Sequence, residues 1–179
     1  MNAVRFVKQG VLLLVCVFAL AGASLIAAQD AATDVSAEEE SLRNVSIQNA
    51  LALTAGDLDA VIETLAENYV VHSPLGDLDR EGFRAFVQAV TASLSDFTVT
   101  TDASIVEGTT VAGRSTWAGV FDGEPFASPF GLLEPTGQPV TVIVHTYFRF
   151  DEEGLIVEEW TMTDLLGFFT QLGAFPAPA

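Results

Sequence analysis

Residues 155–173, LIVEEWTMTDLLGFFTQLG, change their hydrophobic pattern midway, and this change indicates the architecture of the chain. The first part, from Leu155 to Met162, is a β-rich run that follows the short segment Glu152-Glu153-Gly154. This order predicts the second strand of a tight hairpin. The second part, from Asp164 to Leu172, is followed by Gly173, which predicts a short helix with a glycine stop.

Upstream of this stretch, the apolar residues change from helical spacing to strict alternation after Asp96. The alternating part predicts strands at 97–105, 109–121 and 140–150, with a Pro- and Gly-rich loop at 122–139. The earlier part predicts helices at 41–54, after Asp57 and after Asp79, with a short strand at Tyr69–His72. This order indicates an α+β fold, in which helices close the concave face of a curved antiparallel sheet and leave a pocket.

Composition excludes some functions. Half of the 179 residues are hydrophobic and 13 are Phe, so the chain can bury the core of one domain. After Ala28 there are five Arg, no Lys and 24 acidic residues, a formal net charge of −19. Such a surface repels nucleic acids and anionic lipids, and it fits a salt-rich habitat. Cys16 is the only cysteine, so the mature domain has no internal disulfide.

The N-terminus has the organisation of a secretory signal. In residues 1–28, basic Arg5 and Lys8 precede an apolar run, and small residues at 21–23 and 27–28 offer cleavage sites. The alternative is an uncleaved membrane anchor. We expect cleavage, a secreted or periplasmic protein, and no membrane contact afterwards. Residues 29–40 then form an acidic flexible linker, 41–173 the domain and 174–179 a short tail.

Several landmarks from about Leu51 to Gly173 carry a family resemblance. They are Tyr69–Pro74, Pro135–Val140, Phe148–Phe150, Ile156–Trp160, Asp164–Gly167 and Gln171–Gly173. Together they resemble the SnoaL-like family of polyketide and ester cyclases, within the NTF2-like superfamily. The resemblance implies a cone-shaped α+β barrel closed by its N-terminal helices. It also implies a cofactor-free aldol closure of a polyketide ester, and pairing of two copies through the convex face of the sheet.

Three departures from the family pattern stand out. Many relatives carry Gly-x-His where this chain has Gly119-Val120-Phe121, so a polar pocket group is missing there. The loop between Gly123 and Pro135 is longer than usual and is interpreted as a lid. Ser73 occupies the position of the aspartate base of ketosteroid isomerases, which argues against steroid isomerisation.

Two residues are candidates for catalysis. The resemblance matches Asp164, four residues after Trp160, to the family's general acid/base. The alternative is a helix N-cap, since an apolar helical run follows. His72 ends an apolar strand beside a Pro-x-Gly turn, so it is interpreted either as a donor to a substrate carbonyl or as a structural histidine.

Other side chains are candidates for holding a substrate. Tyr147 and Arg149 share a strand face with His145, and they orient a substrate oxygen if that face is concave or form a solvated row if it is convex. The aromatic candidates line a cavity or fill the core: Tyr69, Trp117, Phe121 and Trp160. Glu158-Glu159 places one carboxylate on each strand face, which does not indicate a glycosidase. Two isolated histidines give no metal site and no motif indicates a cofactor.

Two functional hypotheses follow. In the first, the protein is a cofactor-free cyclase or isomerase in which Asp164 transfers a proton while His72 or Arg149 polarises a carbonyl. In the second, it is a non-catalytic exported protein that binds a lipid, a steroid-like or an aromatic molecule. Export and the departure at Phe121 favour binding, whereas the retained Trp160 and Asp164 favour catalysis.

Overall fold

The computed structural model describes residues 37–175, and the chain from Glu39 onward forms one compact unit. Its helices are α1 (37–55), α2 (Leu58–Glu63), α3 (Arg80–Ser93) and α4 (Leu165–Gln171). Its strands are β1 (Leu65–Ser73), β2 (Gly76–Asp79), β3 (Leu94–Glu107), β4 (Thr110–Phe121), β5 (Phe126–Ser128), β6 (Gly131–Leu133), β7 (Gln138–Phe150) and β8 (Ile156–Thr163). The predicted signal segment 1–28, linker residues 29–36 and tail residues 176–179 lie outside the described part.

Aspartate side chains fix where three of the helices start. Asp57, Asp79 and Asp164 each accept a hydrogen bond from the backbone amide three residues later, at 3.1, 2.8 and 2.9 Å. These contacts satisfy amides that have no partner within the helix, and they confirm the predicted caps of α2 and α3. Helix α1 includes residues 37–40, which the sequence analysis placed in the linker. None of the helices in the described part is long and apolar enough to cross a membrane.

Six strands form one sheet in the order β2-β1-β8-β7-β4-β3. The pair β1 and β8 is parallel and all other neighbours are antiparallel. Register shifts interrupt β3–β4 twice, and β1–β8 and β7–β8 once each, and such bulges bend strands and increase their twist. One face of the curved sheet packs against α1, α2 and α3 in a common core. The predicted α+β arrangement is confirmed.

Two short hairpins were not predicted. Strand β1 continues through the turn Ser73-Pro74-Leu75-Gly76 into β2, and β5 continues through Ser128-Pro129-Phe130-Gly131 into β6. In each turn, the serine hydroxyl donates to the glycine carbonyl and accepts from the third residue's amide. Gly76 and Gly131 have φ of 116° and 110°, which side-chain-bearing residues rarely adopt. The segment 122–139, predicted as a loop, therefore contains a hairpin.

The β5–β6 hairpin is fixed to the helices beside it. The amides of Gly123 and Glu124 donate to the carbonyls of Ser93 and Ala92 at the end of α3, at 3.1 and 2.9 Å. Phe126 packs edge-on against Phe168 of α4, and Phe130 packs against Phe169. The hairpin therefore forms an ordered end wall of the domain.

Candidate functional site

A cavity of about 340 Å³ lies between the concave face of the sheet and helices α1, α3 and α4. Its walls are mostly aromatic and aliphatic, and the aromatic lining residues include Phe83, Phe86, Phe97, Trp117 and Phe148. Phe97 and Trp117 pack edge-to-face with their centroids 5.5 Å apart. Small-molecule sites in proteins commonly have a volume in this range and mostly apolar walls.

The sheet side of this cavity carries small hydroxyl side chains. Thr146 and Thr161 are direct partners across β7 and β8, and Thr101 and Ser115 are partners across β3 and β4. Ser115 also accepts a hydrogen bond from the indole nitrogen of Trp117, at 3.2 Å. A molecule in the cavity would therefore meet hydroxyl groups on the sheet side, and on the helix side mostly hydrocarbon together with Ser46 and Asn49 of α1.

Glu159 of β8 supplies the acidic group of the cavity. Its residue surface is only 8% exposed, and burial raises the pKa of its carboxyl to about 7. The Tyr69 hydroxyl donates to Oε2 of Glu159 at 2.5 Å, which opposes that rise in pKa. Burial also raises the pKa of Tyr69, which therefore stays neutral and remains a donor. A carboxyl in this state can both take and give a proton near neutral pH.

Basic groups do not face Glu159 in the described part of the cavity. Arg114 is the only basic residue among the lining residues, and its guanidinium donates to Asp102 at 2.6 Å and is 43% exposed. The described residues also contain no cluster of three His, Cys, Asp or Glu side chains that could hold a metal ion. Among the described lining residues, the polar side chains other than Arg114 are the carboxyl of Glu159, the amide of Asn49 and several hydroxyl groups.

Glu158, the neighbour of Glu159, points to the opposite face of the sheet and joins an exposed ionic network. His72 contacts Asp77 through Nδ1 at 3.0 Å and Glu158 through Nε2 at 3.1 Å. Arg149 donates to Glu158 from Nε at 3.0 Å. The bonds to Asp77 and then to Glu158 raise the pKa of His72, whereas the bonds from Arg149 and then His72 lower the pKa of Glu158.

The same outer face carries two aromatic side chains that were predicted to bind substrate. Trp160 stacks on His72 with centroids 5.4 Å apart, and Tyr147 packs edge-on against Trp160. Trp160 is 39% exposed and Tyr147 46% exposed. The strand face shared by Tyr147 and Arg149 is therefore the convex, solvated one, and His72 and Trp160 lie on this face as well. Their predicted contacts with a molecule in the cavity do not fit this placement.

The remaining predicted residues are distributed differently. Trp117 lines the cavity, whereas Phe121 is fully buried in the core beside α4. Tyr69 is almost fully buried behind Glu159 and is not among the lining residues. Asp164 is an exposed helix cap whose carboxylate accepts from the Gly167 amide, and it does not line the cavity. Its assignment as the acid/base stays a prediction.

Glu159 was not among the site residues predicted from the sequence. The available signal was the pair Glu158-Glu159 itself, because two adjacent acids in a strand must point to opposite faces. In a sheet with one buried face, one of the two carboxyls has to be buried. A buried carboxyl is uncommon without a functional or structural partner.

Comparisons with known proteins agree with this architecture. The chain matches the SnoaL-like polyketide cyclase family over residues 45–172. A comparison with curated proteins gave no match. Among solved structures, AclR from Streptomyces galilaeus, assigned as a hydroxylase, superposes with a TM-score of 0.70 at 20% identity, covering 79% of this chain and 86% of AclR.

Two further structures are similar. IdmH from Streptomyces antibioticus, assigned as a polyketide cyclase, has a TM-score of 0.62 at 27% identity, covering 74% of this chain and 98% of IdmH. A protein of Jannaschia sp. CCS1, assigned as a SnoaL-like polyketide cyclase, has a TM-score of 0.66 at 24% identity, covering 77% and 95%. The fold is the expected NTF2-like one. With the family match spanning most of the domain, the chain belongs to the SnoaL-like polyketide cyclase family.

Proposed function

We propose that this protein catalyses cofactor-free proton transfer on an uncharged carbonyl compound held in the cavity, with Glu159 as general acid and base. The observation that carries the proposal is a buried carboxyl at the wall of an apolar cavity, with a pKa of about 7. At neutral pH both of its forms are populated, so that it can accept a proton from a weak acid and return it in the same reaction.

An intramolecular aldol closure fits these groups. The Glu159 carboxylate removes a proton from a carbon next to a carbonyl group, and the resulting enolate carbon bonds to a second carbonyl carbon of the same molecule. The new alkoxide then takes the proton back from the Glu159 carboxylic acid. Atoms and charges balance without another reactant, and the family membership supports this reaction class. IdmH, which is assigned as a polyketide cyclase, supports it too.

The charge of the cavity favours an uncharged substrate such as an ester or a ketone. A free carboxylate would be placed near Glu159, whereas the guanidinium of Arg114 pairs with Asp102 on the outer face, opposite His145. Two carboxylates in one apolar cavity repel each other and lose their hydration. The hydroxyls of Thr146 and Thr161 can instead donate to carbonyl oxygens on the sheet side.

Asp164 and Glu159 are competing assignments for the proton-transferring group. Asp164 has the support of the sequence resemblance, but its carboxylate caps α4 and is exposed. Asp164 is not among the residues that line the cavity, and its Oδ1 already accepts the hydrogen bond of the Gly167 amide. Glu159 has the support of burial, of its position at the cavity wall and of its raised pKa.

The experiment uses 2-tetralone, an uncharged bicyclic ketone, in deuterium oxide, and NMR follows exchange of its α-hydrogens. The purified protein is compared with its Glu159→Gln, Asp164→Asn and Glu158→Gln variants. Removal of a general base typically costs about 100-fold or more in rate. We therefore expect protein-dependent exchange to disappear in Glu159→Gln and to persist in the other two. Loss in Asp164→Asn, with retention in Glu159→Gln, would assign the role to Asp164.

The second hypothesis, a non-catalytic binding protein, uses the same cavity. The aromatic walls, which include Phe83, Phe86 and Trp117, would hold an apolar ring without any chemistry. Native mass spectrometry of the purified protein and of Glu159→Gln separates the two cases. A co-purified molecule on both proteins, without exchange of 2-tetralone by either, indicates binding alone. A molecule that accumulates only on Glu159→Gln indicates a trapped substrate.

We also propose export and self-association. The N-terminal segment 1–28 supports export, which the intact mass of protein recovered outside the cytoplasm would test, because cleavage after residue 23 or 28 gives different masses. The convex face exposes several apolar side chains, which supports pairing of two copies there: Ile105, Ile143, Tyr147, Trp160 and Met162. Light scattering would test it, and a Trp160→Glu variant should then be monomeric.

A further inference from the structure

Tyr69 and Glu159 form a buried pair between two strands that are far apart in the sequence. Tyr69 lies on β1 and is 1% exposed, and its ring packs edge-on against Phe83 of α3 with centroids 5.5 Å apart. Its partner Glu159 lies on β8, whose parallel pairing with β1 places Val71 opposite Glu159. Packing against Phe83 therefore holds the tyrosine ring in place independently of the hydrogen bond that its hydroxyl makes.

The two oxygens of the Glu159 carboxyl have different surroundings. Oε2 accepts the hydrogen bond of Tyr69, at 2.5 Å. Oε1 has no hydrogen-bond partner among the described residues. It is also absent from the fully buried side-chain atoms of these residues that lack a partner, so Oε1 is not fully buried. Because Glu159 lines the cavity and Tyr69 does not, the tyrosine approaches the carboxyl from the protein side. A proton bound by Glu159 therefore belongs on Oε1.

We propose that Tyr69 is a positioning residue whose hydroxyl holds Oε2 of Glu159, so that Oε1 alone exchanges protons with the molecule in the cavity. This inference rests on the proposed function of Glu159 as acid and base. It assigns Tyr69 a role different from the substrate contact expected from the sequence. The hydroxyl keeps its own proton throughout, so the transferred proton moves only between Oε1 and the substrate.

The arginines near these elements make their hydrogen bonds to groups other than Glu159. On α3, Arg80 donates to the carbonyl of Ile62, and Arg84 pairs with Asp59. On β8, Glu158 points to the outer face and pairs with Arg149. Burial and the Tyr69 bond are accordingly the two influences on the pKa of Glu159, and they act in opposite directions. Removing the hydroxyl leaves burial unopposed.

The test measures the titration of Glu159 directly. Protein labelled with ¹³C at the glutamate carboxyl carbon is titrated by NMR, and the resonance missing from Glu159→Gln identifies the residue. In Tyr69→Phe, which keeps the ring against Phe83, the midpoint should rise by about one to two pH units, the value of a hydrogen bond to a charged group. Tyr147→Phe, at the only other tyrosine, is the matched control and should leave the midpoint unchanged.

A second measurement covers the case in which Tyr69→Phe does not fold. Replacing both tyrosines with 3-fluorotyrosine keeps the hydrogen bond but makes the hydroxyl a stronger donor, so the Glu159 midpoint should fall. An unchanged midpoint in folded Tyr69→Phe, or in the fluorinated protein, would overturn the positioning role.

The outcome of the 2-tetralone assay separates this inference from the proposed function. If the midpoint shifts but the wild-type protein exchanges no hydrogen, Tyr69 positions Glu159 and the catalytic proposal fails. If exchange occurs and its pH dependence moves upward with the midpoint in Tyr69→Phe, both stand. If exchange occurs but neither the midpoint nor the pH dependence moves, Glu159 acts without Tyr69.

Discussion

Replacing Glu159 with Gln should stabilise the protein at neutral and alkaline pH even as it removes the proposed acid/base. Burial raises the pKa of this carboxyl from 4.5 to about 7 in the folded protein, whereas the unfolded chain keeps the ordinary value. Between these two pH values the folded state holds a proton that the unfolded state has released. The free energy of unfolding therefore falls by about 1.4 kcal/mol for each pH unit in this window.

Over the whole window, ionisation of Glu159 lowers the free energy of unfolding of the wild-type protein by about 3 kcal/mol, and this decrease is complete above pH 7. Gln is neutral at every pH and can still accept the hydrogen bond of Tyr69. The difference in unfolding free energy between Glu159→Gln and wild type should therefore rise by about 3 kcal/mol from pH 4.5 to pH 8. The contributions of other titrating groups cancel in this difference wherever the substitution leaves their pKa values unchanged.

Urea unfolding of both proteins at a series of pH values measures this difference. Glu158→Gln is a matched control with the opposite sign. The pKa of Glu158 is lowered, so its stabilising contribution is present above pH 4.5 and is lost as the pH falls through the folded-state value. That variant should be less stable than wild type at neutral pH and converge with it in acid. A Glu159→Gln difference that stays constant with pH would refute the raised pKa and remove the main support for Glu159 as acid and base.

Three further predictions concern other parts of the protein. His72 should titrate above pH 6.5 by NMR. Its stabilising contribution should be complete below pH 6.5 and should be lost as the pH rises through its folded-state pKa. A titration midpoint in Asp77→Asn as high as in wild type would contradict the contact between His72 and Asp77. Gly123→Ala should lower the free energy of unfolding by about 1–3 kcal/mol, since the new Cβ would lie 2.2 Å from the Ala92 carbonyl oxygen. Its control, Gly113→Ala, whose Cβ would have no neighbour nearer than 3.8 Å, should stabilise by up to about 1 kcal/mol, and equal melting shifts in the two variants would be inconsistent with this packing. Molar salt should raise the unfolding midpoint, because it screens repulsion among the acidic residues, and indifference to salt would rule out this account.

Local chemistry made most of the fold predictable. The change from helical spacing to alternation, the caps Asp57 and Asp79, and the hairpin before β8 are properties of neighbouring residues. The strands β2, β5 and β6 have four residues or fewer, which is too short for alternation to distinguish them from a loop. Their Ser-Pro-x-Gly turns were the available signal.

The face of each strand was less predictable than the strand itself. Alternation showed that Tyr147 and Arg149 share a face with His145, but not which face the helices cover. That choice depends on α1 and α3, which pack on the sheet from distant parts of the sequence. Most of the predicted polar site residues therefore lie on the outer face, while Glu159 and the threonines line the cavity.

Strand β8 shows why alternation could not choose between its two adjacent glutamates. Ile156 and Glu159 are both buried, although residues three apart in a regular strand point to opposite faces. The pairing with β7 resolves this, because Phe150 is opposite Ile156 while Arg149 is opposite Glu158, which leaves Val157 unpaired in a bulge. Counting inward from Ile156 alone would bury Glu158. The bulge reverses the alternation of inward and outward side chains, so that Glu159 is buried instead. Contacts on both faces then hold this register, since Tyr69 binds Glu159 inside while His72 and Arg149 bind Glu158 outside. A slip of one residue would break all of these contacts, so the register that places the carboxyl in the cavity is the one that satisfies both glutamates.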